Sequence, residues 1–308
     1  MEPGGGGWVG RLFATDSWVQ LWPPAVWAGA ALLAVCYLLA VAGPARRYFP
    51  GTEPARRAQA GWFLGGLLTL AIAYGTPLWI LGQRDSFTAH MVELSLETMV
   101  AVPMLLTGTP DFLVRPIWEF GPTRSVLKLF THPLMALFLF TVAFSLWNLP
   151  ALYDPSLLNG WLQALELVGL GVLAVGWWWP VWSPLPERPR LTGGALLIYV
   201  LAAGAFLIPV LFFLVLTGQP GYPVYGHRAE VFGFTPAMDM QVGGILFRVF
   251  DTVSLGVAAV NGFMYWADRG RYRRPGASGS EGPPPVAPID LVARRKVSGD
   301  APRNGKGS

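Results

Sequence analysis

Ionisable side chains stand inside stretches of this chain that are otherwise too apolar to accept them. His90, Glu93 and Glu97 follow one another at intervals of three and four residues, a spacing that lines them along one stripe of a helix. Two carboxylates one turn apart in a low dielectric do not both ionise without a cation between them. A shared proton, a metal ion or an arginine therefore belongs at this stripe. Glu166 lies in a second apolar run, and Asp239, Gln241, Arg248 and Asp251 lie in a third. Arg248 and Asp251, three apart, can pair within one helix, or Arg248 can reach across to Glu97. A charge buried in a membrane costs roughly 2.5–3.5 kcal/mol even on lenient insertion scales, so such residues mark functional or paired positions. A plainer reading stands beside that one: the charges neutralise one another and hold helices in register.

The elements that must position these residues are membrane helices. Of 308 residues, 53% are hydrophobic and only 13% charged, about half the charge of a roughly 25% soluble norm. Apolar runs of about 20 residues, the length a bilayer core requires, are expected as spans at 22–43, 61–82, 87–107, 133–153, 160–182, 193–217 and 237–266. Gly43-Pro44, Gly82, Gly108, Pro133, the Asp154-Pro155 turn, Pro180 and Pro184 bound them. The fold class expected is all-α, a polytopic seven-helix transmembrane bundle.

Basic residues give the orientation. Arg46, Arg47, Arg56 and Arg57 follow the first span, Arg115, Arg124 and Lys128 the third, and Arg188 and Arg190 the fifth; nine more occupy the tail after 268. Together these hold 18 of the 22 lysines and arginines. The alternation requires an odd number of spans, with the N-terminus outside and the C-terminus cytoplasmic. Residues 1–21 then form an outer segment, 22–268 the membrane domain, and 269–308 a basic tail. From about 275 that tail is rich in Gly, Pro and Ser, and it should be disordered. No basic region precedes an apolar core and cleavage site at the start, so the first span is expected to act as its own uncleaved signal.

Depth sharpens the picture. His90, Asn148, Tyr153, Glu166 and Asp239 all fall near the outer ends of their spans, on four separate helices. Such convergence predicts a shared pocket opening to the outside.

Several segments here carry a family resemblance: Ala89-His90-Met91-Val92, then Pro103 and Gly108-Thr109-Pro110; Thr131-His132-Pro133; Trp147-Asn148-Leu149-Pro150-Ala151-Leu152-Tyr153-Asp154; Ala164-Leu165-Glu166; Trp178-Trp179-Pro180; and Asp239-Met240-Gln241-Val242-Gly243-Gly244. In this order and spacing, from about Ser86 to Trp266, the chain resembles the CtaG family of bacterial cytochrome c oxidase assembly factors. The resemblance implies a multi-pass protein of the bacterial cell (inner) membrane, linked to maturation of the copper-containing oxidase core. Its partners would be membrane lipids and an oxidase subunit or copper donor protein, and its cofactor, if any, copper. The ligand pattern departs from the family's. Where the family has histidines in His-Met-x-Gln-His, Trp-His-Leu-Pro and His-Ala-Leu-Glu-His, this chain has Leu94, Asn148, Gln163 and Leu167. Leucine cannot bind copper and neutral amides bind it poorly. His90, with Met91 or Glu93, is the metal-ligand set that remains.

Other classes are excluded or disfavoured by residue content. The three lysines, Lys128, Lys296 and Lys306, fall in a loop and the tail, so no span can form a retinal Schiff base. Cys36 is the single cysteine; neither an internal disulfide nor a Cys-based zinc site can form. There is no Gly-x-Ser-x-Gly, His-Glu-x-x-His or phosphate-binding glycine loop, and the expectation is a non-enzyme. The net charge of +4 follows topology and implies no nucleic-acid partner. The leading function is an accessory or assembly factor for cytochrome c oxidase acting by binding at the outer leaflet. The alternative, suggested by the intramembrane acids, is a small proton- or ion-coupled transporter.

Overall fold

Proline and glycine decide where the apolar runs bend. The computed structural model describes residues 16–43, 56–187, 190–216, 222, 225 and 233–272. After a single turn at Trp18–Leu21, the helices are α1 (Pro24–Val41), α2 (Arg57–Tyr74), α3 (Pro77–Arg84), α4 (Phe87–Gly108), α5 (Asp111–Glu119), α6 (Gly121–Phe130), α7 (Pro133–Trp147), α8 (Pro150–Leu158), α9 (Gly160–Trp182), α10 (Gly193–Phe206), α11 (Ile208–Leu216) and α12 (Pro236–Tyr272). No strand occurs among the described residues. Five helical stretches are long and apolar enough to cross a membrane: Trp18–Val41, Phe87–Gly108, Gly160–Trp182, Gly193–Leu216 and Pro236–Ala267. The count rises to seven if two bent pairs, α2 with α3 and α6 with α7, each make one span. The protein is a multi-pass, all-helical membrane protein.

The bent pairs are where the expected spans differ from the observed ones. The run 61–82 bends by 50° between α2 and α3, because Pro77 cannot donate a backbone hydrogen bond and begins a new helix. Thr76 caps that helix by accepting from the Leu78 N–H. The run 133–153 ends early, at Trp147. Pro150 would clash with the Leu146 carbonyl, and it forces Leu149 into extended backbone. The chain then turns again at Asn159, whose side chain accepts from the N–H groups of Trp161 and Leu162, so the break falls there and not at Asp154-Pro155. The 15 residues of α7 span only about 22 Å. Helix α6 meets it at 75° instead of continuing it in line. Phe130 of α6 packs beside Gly176, Val126 and Leu129 are exposed, and Arg124 and Lys128 occupy the opposite arc.

Helix α4 is the most deeply buried of the five long stretches, and its middle is not α-helical. Across Leu96–Ala101 the turns widen, so that the Val102 N–H reaches back five residues to the Glu97 carbonyl. The cause is Pro103, which offers no N–H to either Met99 or Thr98. Both abandoned carbonyls find donors on neighbouring helices. Trp178 Nε1 of α9 donates to Thr98 O at 2.7 Å, and Ser254 Oγ of α12 donates to Met99 O at 2.8 Å. These bonds tie α4 between α9 and α12 at the level of Glu97. Around them Trp177, Trp178, Phe140, Phe144 and Phe247 form the interior.

Candidate functional site

The start of α4 is built by a residue 152 positions away. Asp239, in the first turn of α12, accepts hydrogen bonds from Ser86 Oγ (2.8 Å), the Phe87 N–H (2.6 Å) and the Thr88 N–H (3.2 Å), and Thr88 Oγ1 donates to its carbonyl at 2.8 Å. Ser86 Oγ in turn accepts from the Ala89 N–H. The free N–H groups of a helix start are thus satisfied by a carboxylate, with a favourable dipole contact as well. Asp239 is a helix cap here, and it fixes the register of α12 against α4. Met91 is buried in that same contact, beside Gly243 and Phe87.

One turn further along α4, the imidazole of His90 sits between two carboxylates. Its Nε2 is 3.2 Å from Glu166 Oε1 of α9, and its Nδ1 is 4.0 Å from Glu93 Oε2. All three side chains are at most 3% exposed. Ser156 Oγ of α8 donates to Glu166 Oε2 at 3.1 Å. Neither ring nitrogen of His90 and neither oxygen of Glu93 completes a hydrogen bond of good geometry among the described residues. Gly82 of α3 makes room for it, since a Cβ there would fall 2.9 Å from the Glu93 carboxyl carbon.

Aromatic rings close the cluster. Tyr153 stands edge-on to His90, with ring centroids 5.0 Å apart, and Phe87 stacks on Tyr222 at 4.7 Å. Tyr225 OH donates to the Gly82 carbonyl (2.6 Å) and Tyr222 OH to the Asn148 carbonyl (2.7 Å). Having spent its proton there, Tyr225 accepts from Tyr153 OH at 2.8 Å. Burial, foremost, holds both Tyr222 and Tyr225 above the ordinary phenol range, which keeps them donors. The pocket expected to open outward is instead closed: His90, Tyr153 and Glu166 are buried under these rings.

The remaining predicted residues divide into separate groups. Asn148 uses its own amide on the Phe144 carbonyl. Gln163, at a position where the family has histidine, donates to Gln83 of α3, and Leu94, at another, is core. Glu97 accepts from Tyr74 OH at 2.7 Å in space left by Gly171, whose Cβ would come within 2.5 Å of its Oε1. Arg248 does not reach Glu97. Its Nη1 donates to Asp251 Oδ2 and to the Gly204 carbonyl of α10, both at 2.8 Å. A residue three positions along the same helix is the nearer partner. Gln241 is half-buried and joins none of these groups. His227 and the tail beyond 272 lie outside the described residues. Among the described residues, no group of three or more His, Cys, Asp or Glu side chains is arranged to hold a metal ion.

The model of one protein family, the cytochrome c oxidase caa3 assembly factors (Caa3_CtaG), matches residues 35–269, more than half of the chain. The chain belongs to that family. No curated relative and no solved structure matches it. Within this CtaG-family chain the matched region contains the whole cluster, from Gly82 to Tyr225, and the Arg248–Asp251 pair as well. Residue types alone did not reveal the tyrosines that close it, Tyr222 and Tyr225, nor Ser156 and Tyr74. Tyr222 and Tyr225 stand in a Gly- and Pro-rich loop that reads as a plain connection. Their one signal is a pair of large aromatic rings three residues apart in that loop.

Proposed function

We propose that this chain is a non-catalytic accessory factor in the assembly of a cytochrome c oxidase, residing in a bacterial cell membrane with seven spans and its N-terminus outside. Family membership across residues 35–269 is the observation that carries the reading, and the distribution of basic residues supports the orientation. In that orientation the His90–Glu93–Glu166 cluster lies in the outer half of the bundle. There it pins α3, α4, α8 and α9 together beneath the surface that receives an oxidase subunit or copper donor.

Copper is the metal the resemblance implies, and the residues present do not fit a copper centre made by this chain alone. His90 Nε2 and Glu166 Oε1, 3.2 Å apart, are spaced as two ligands of one ion, but Glu93 lies on the other ring nitrogen. Met91 is packed beside Gly243. One imidazole and one hard carboxylate are a poor set for the soft cuprous ion. The mechanism is therefore binding and positioning, with any metal carried by the partner. An ion carrier, the other reading of the intramembrane acids, draws no support from the family.

Deleting the gene in the native host, and recording the haem spectrum and oxidase activity of the membranes, tests this directly. The oxidase signal should fall, and added copper should not restore it. A full oxidase signal in the deletion strain would overturn the proposal.

A further inference from the structure

Arg248 is placed where a membrane tolerates a cation least. The carbonyl it binds, Gly204 O, belongs to the twelfth residue of the 24-residue span Gly193–Leu216. At 1.5 Å per residue that is roughly 16–18 Å from either end, the middle of a hydrocarbon core about 30 Å thick. An arginine side chain is far shorter than that, so it cannot snorkel to the headgroups. Yet the Arg248 side chain is 39% exposed, while its partner Asp251 is fully buried.

The guanidinium carries five N–H donors. Among the described residues its hydrogen bonds, to Gly204 and Asp251, engage Nη1 alone. The edge formed by Nε and Nη2 is left over, and two parallel donors on such an edge match the two oxygens of a carboxylate. The helix around it is shaped for close approach. Arg248, Thr252 and Gly256 recur every fourth residue and form one ridge. Thr252 and Gly256 are exposed, and a Cβ on Gly256 would meet nothing within 4 Å. Exposed Val249, Val253 and Val260 flank the ridge. Small residues along an exposed face let a second helix backbone pack close in a bilayer.

We propose that this ridge of α12 is the docking site for a transmembrane helix of a partner protein, and that this helix carries an aspartate or glutamate at mid-membrane opposite Arg248. The proposal rests on the reading of the chain as an accessory factor in a membrane complex, and it adds the surface and the recognising group. Charge complementarity selects the occupant. A purely apolar helix would bury the free edge of the guanidinium without an acceptor, which hydrocarbon penalises.

The test places a photo-crosslinking benzoylphenylalanine at Val253 of the full chain in native-host membranes and identifies the crosslinked peptide by mass spectrometry. The expected product is a membrane-spanning peptide of another protein with Asp or Glu within one turn of the crosslink. Arg248→Gln should lower its yield about three- to twentyfold, the range of one interhelical hydrogen bond. Gly256→Trp should abolish it while leaving the thermal melting of the purified protein unchanged. Gly169→Trp, also at a glycine with open space around it but on α9, should leave the yield intact. Crosslinking to a second copy of this chain, to lipid only, or to a segment without an acid would overturn the proposal, as would a yield unaffected by Gly256→Trp. An acidic helix from a protein outside the oxidase would sink the oxidase reading and leave this one standing. Loss of oxidase on deletion of the gene, with no crosslink from Val253 when the full chain is present, would do the reverse.

Discussion

Two groups of charges sit inside the apolar helices of this protein, and they are finished in opposite ways. At one end of α4, His90, Glu93 and Glu166 come from two helices, are roofed by Tyr153, Tyr222 and Phe87, and have Gly82 beside them to supply space. At mid-span on α12, Arg248 and Asp251 come from one helix, with the acid buried and the cation turned partly outward. The first group is enclosed by the chain, with all three side chains buried between helices. The second is complete on one side only. A group whose surplus donors point inward, away from lipid, serves the fold; one whose surplus donors point outward calls for something beyond the chain.

The sharpest way to break this comparison is to remove the cation of the second group. Arg248→Leu leaves Asp251 buried without its partner and should cost about 3–5 kcal/mol, seen as a large fall in the unfolding midpoint in detergent. Replacing both residues by leucine should recover most of that loss, because an apolar pair leaves no charge unpaired. If the single and double variants melt alike, Asp251 was never held by Arg248. A smaller effect is expected at the widened turn of α4. Ser254→Ala strands the Met99 carbonyl that Pro103 already deprives of a partner, at a cost of about 1–3 kcal/mol. Hydrogen exchange should then accelerate around Leu96–Ala101 before it does so elsewhere. Smaller again is Asp239→Asn, which keeps one acceptor for the start of α4 and should cost about 1 kcal/mol. A stability change of zero would remove Asp239 from the capping role.

Much of this was legible in the residue order, and the limits were physical. Apolar length alone marks 160–182 and 193–217 close to their observed bounds, because a bilayer demands continuous apolar surface whatever the partners. The Arg248–Asp251 pair is local and follows from a spacing of three. Asp239 read only as a polar residue near a helix end, since its role depends on helix α4 arriving beside it from 152 residues away. The early stop at Trp147 was readable in principle from Pro150, yet hydropathy averaged over a window passes straight across a proline. Gly82 read only as the end of a span, and Gly171 carried no signal at all. Their importance lies in space that two carboxylates from another helix occupy, and a sequence does not display empty volume.

The weakest expected effect tests whether surroundings, and not pairing as such, set the worth of a charge. Arg115 makes as many short contacts as Arg248: Nη2 lies 3.0 Å from Asp111 and Nη1 2.9 Å from Glu187. The nearby carboxylates, the Asp111 hydrogen bond first, hold its guanidinium above the ordinary range. Yet all three side chains are more than a third exposed, and water competes for every bond they form. Arg115→Gln should therefore change the unfolding midpoint by less than the equivalent of about 1 kcal/mol, and less still in high salt. A loss as large as that of Arg248→Leu would mean that geometry alone sets the value of these pairs, and the contrast between a sealed site and an open one would lose its basis.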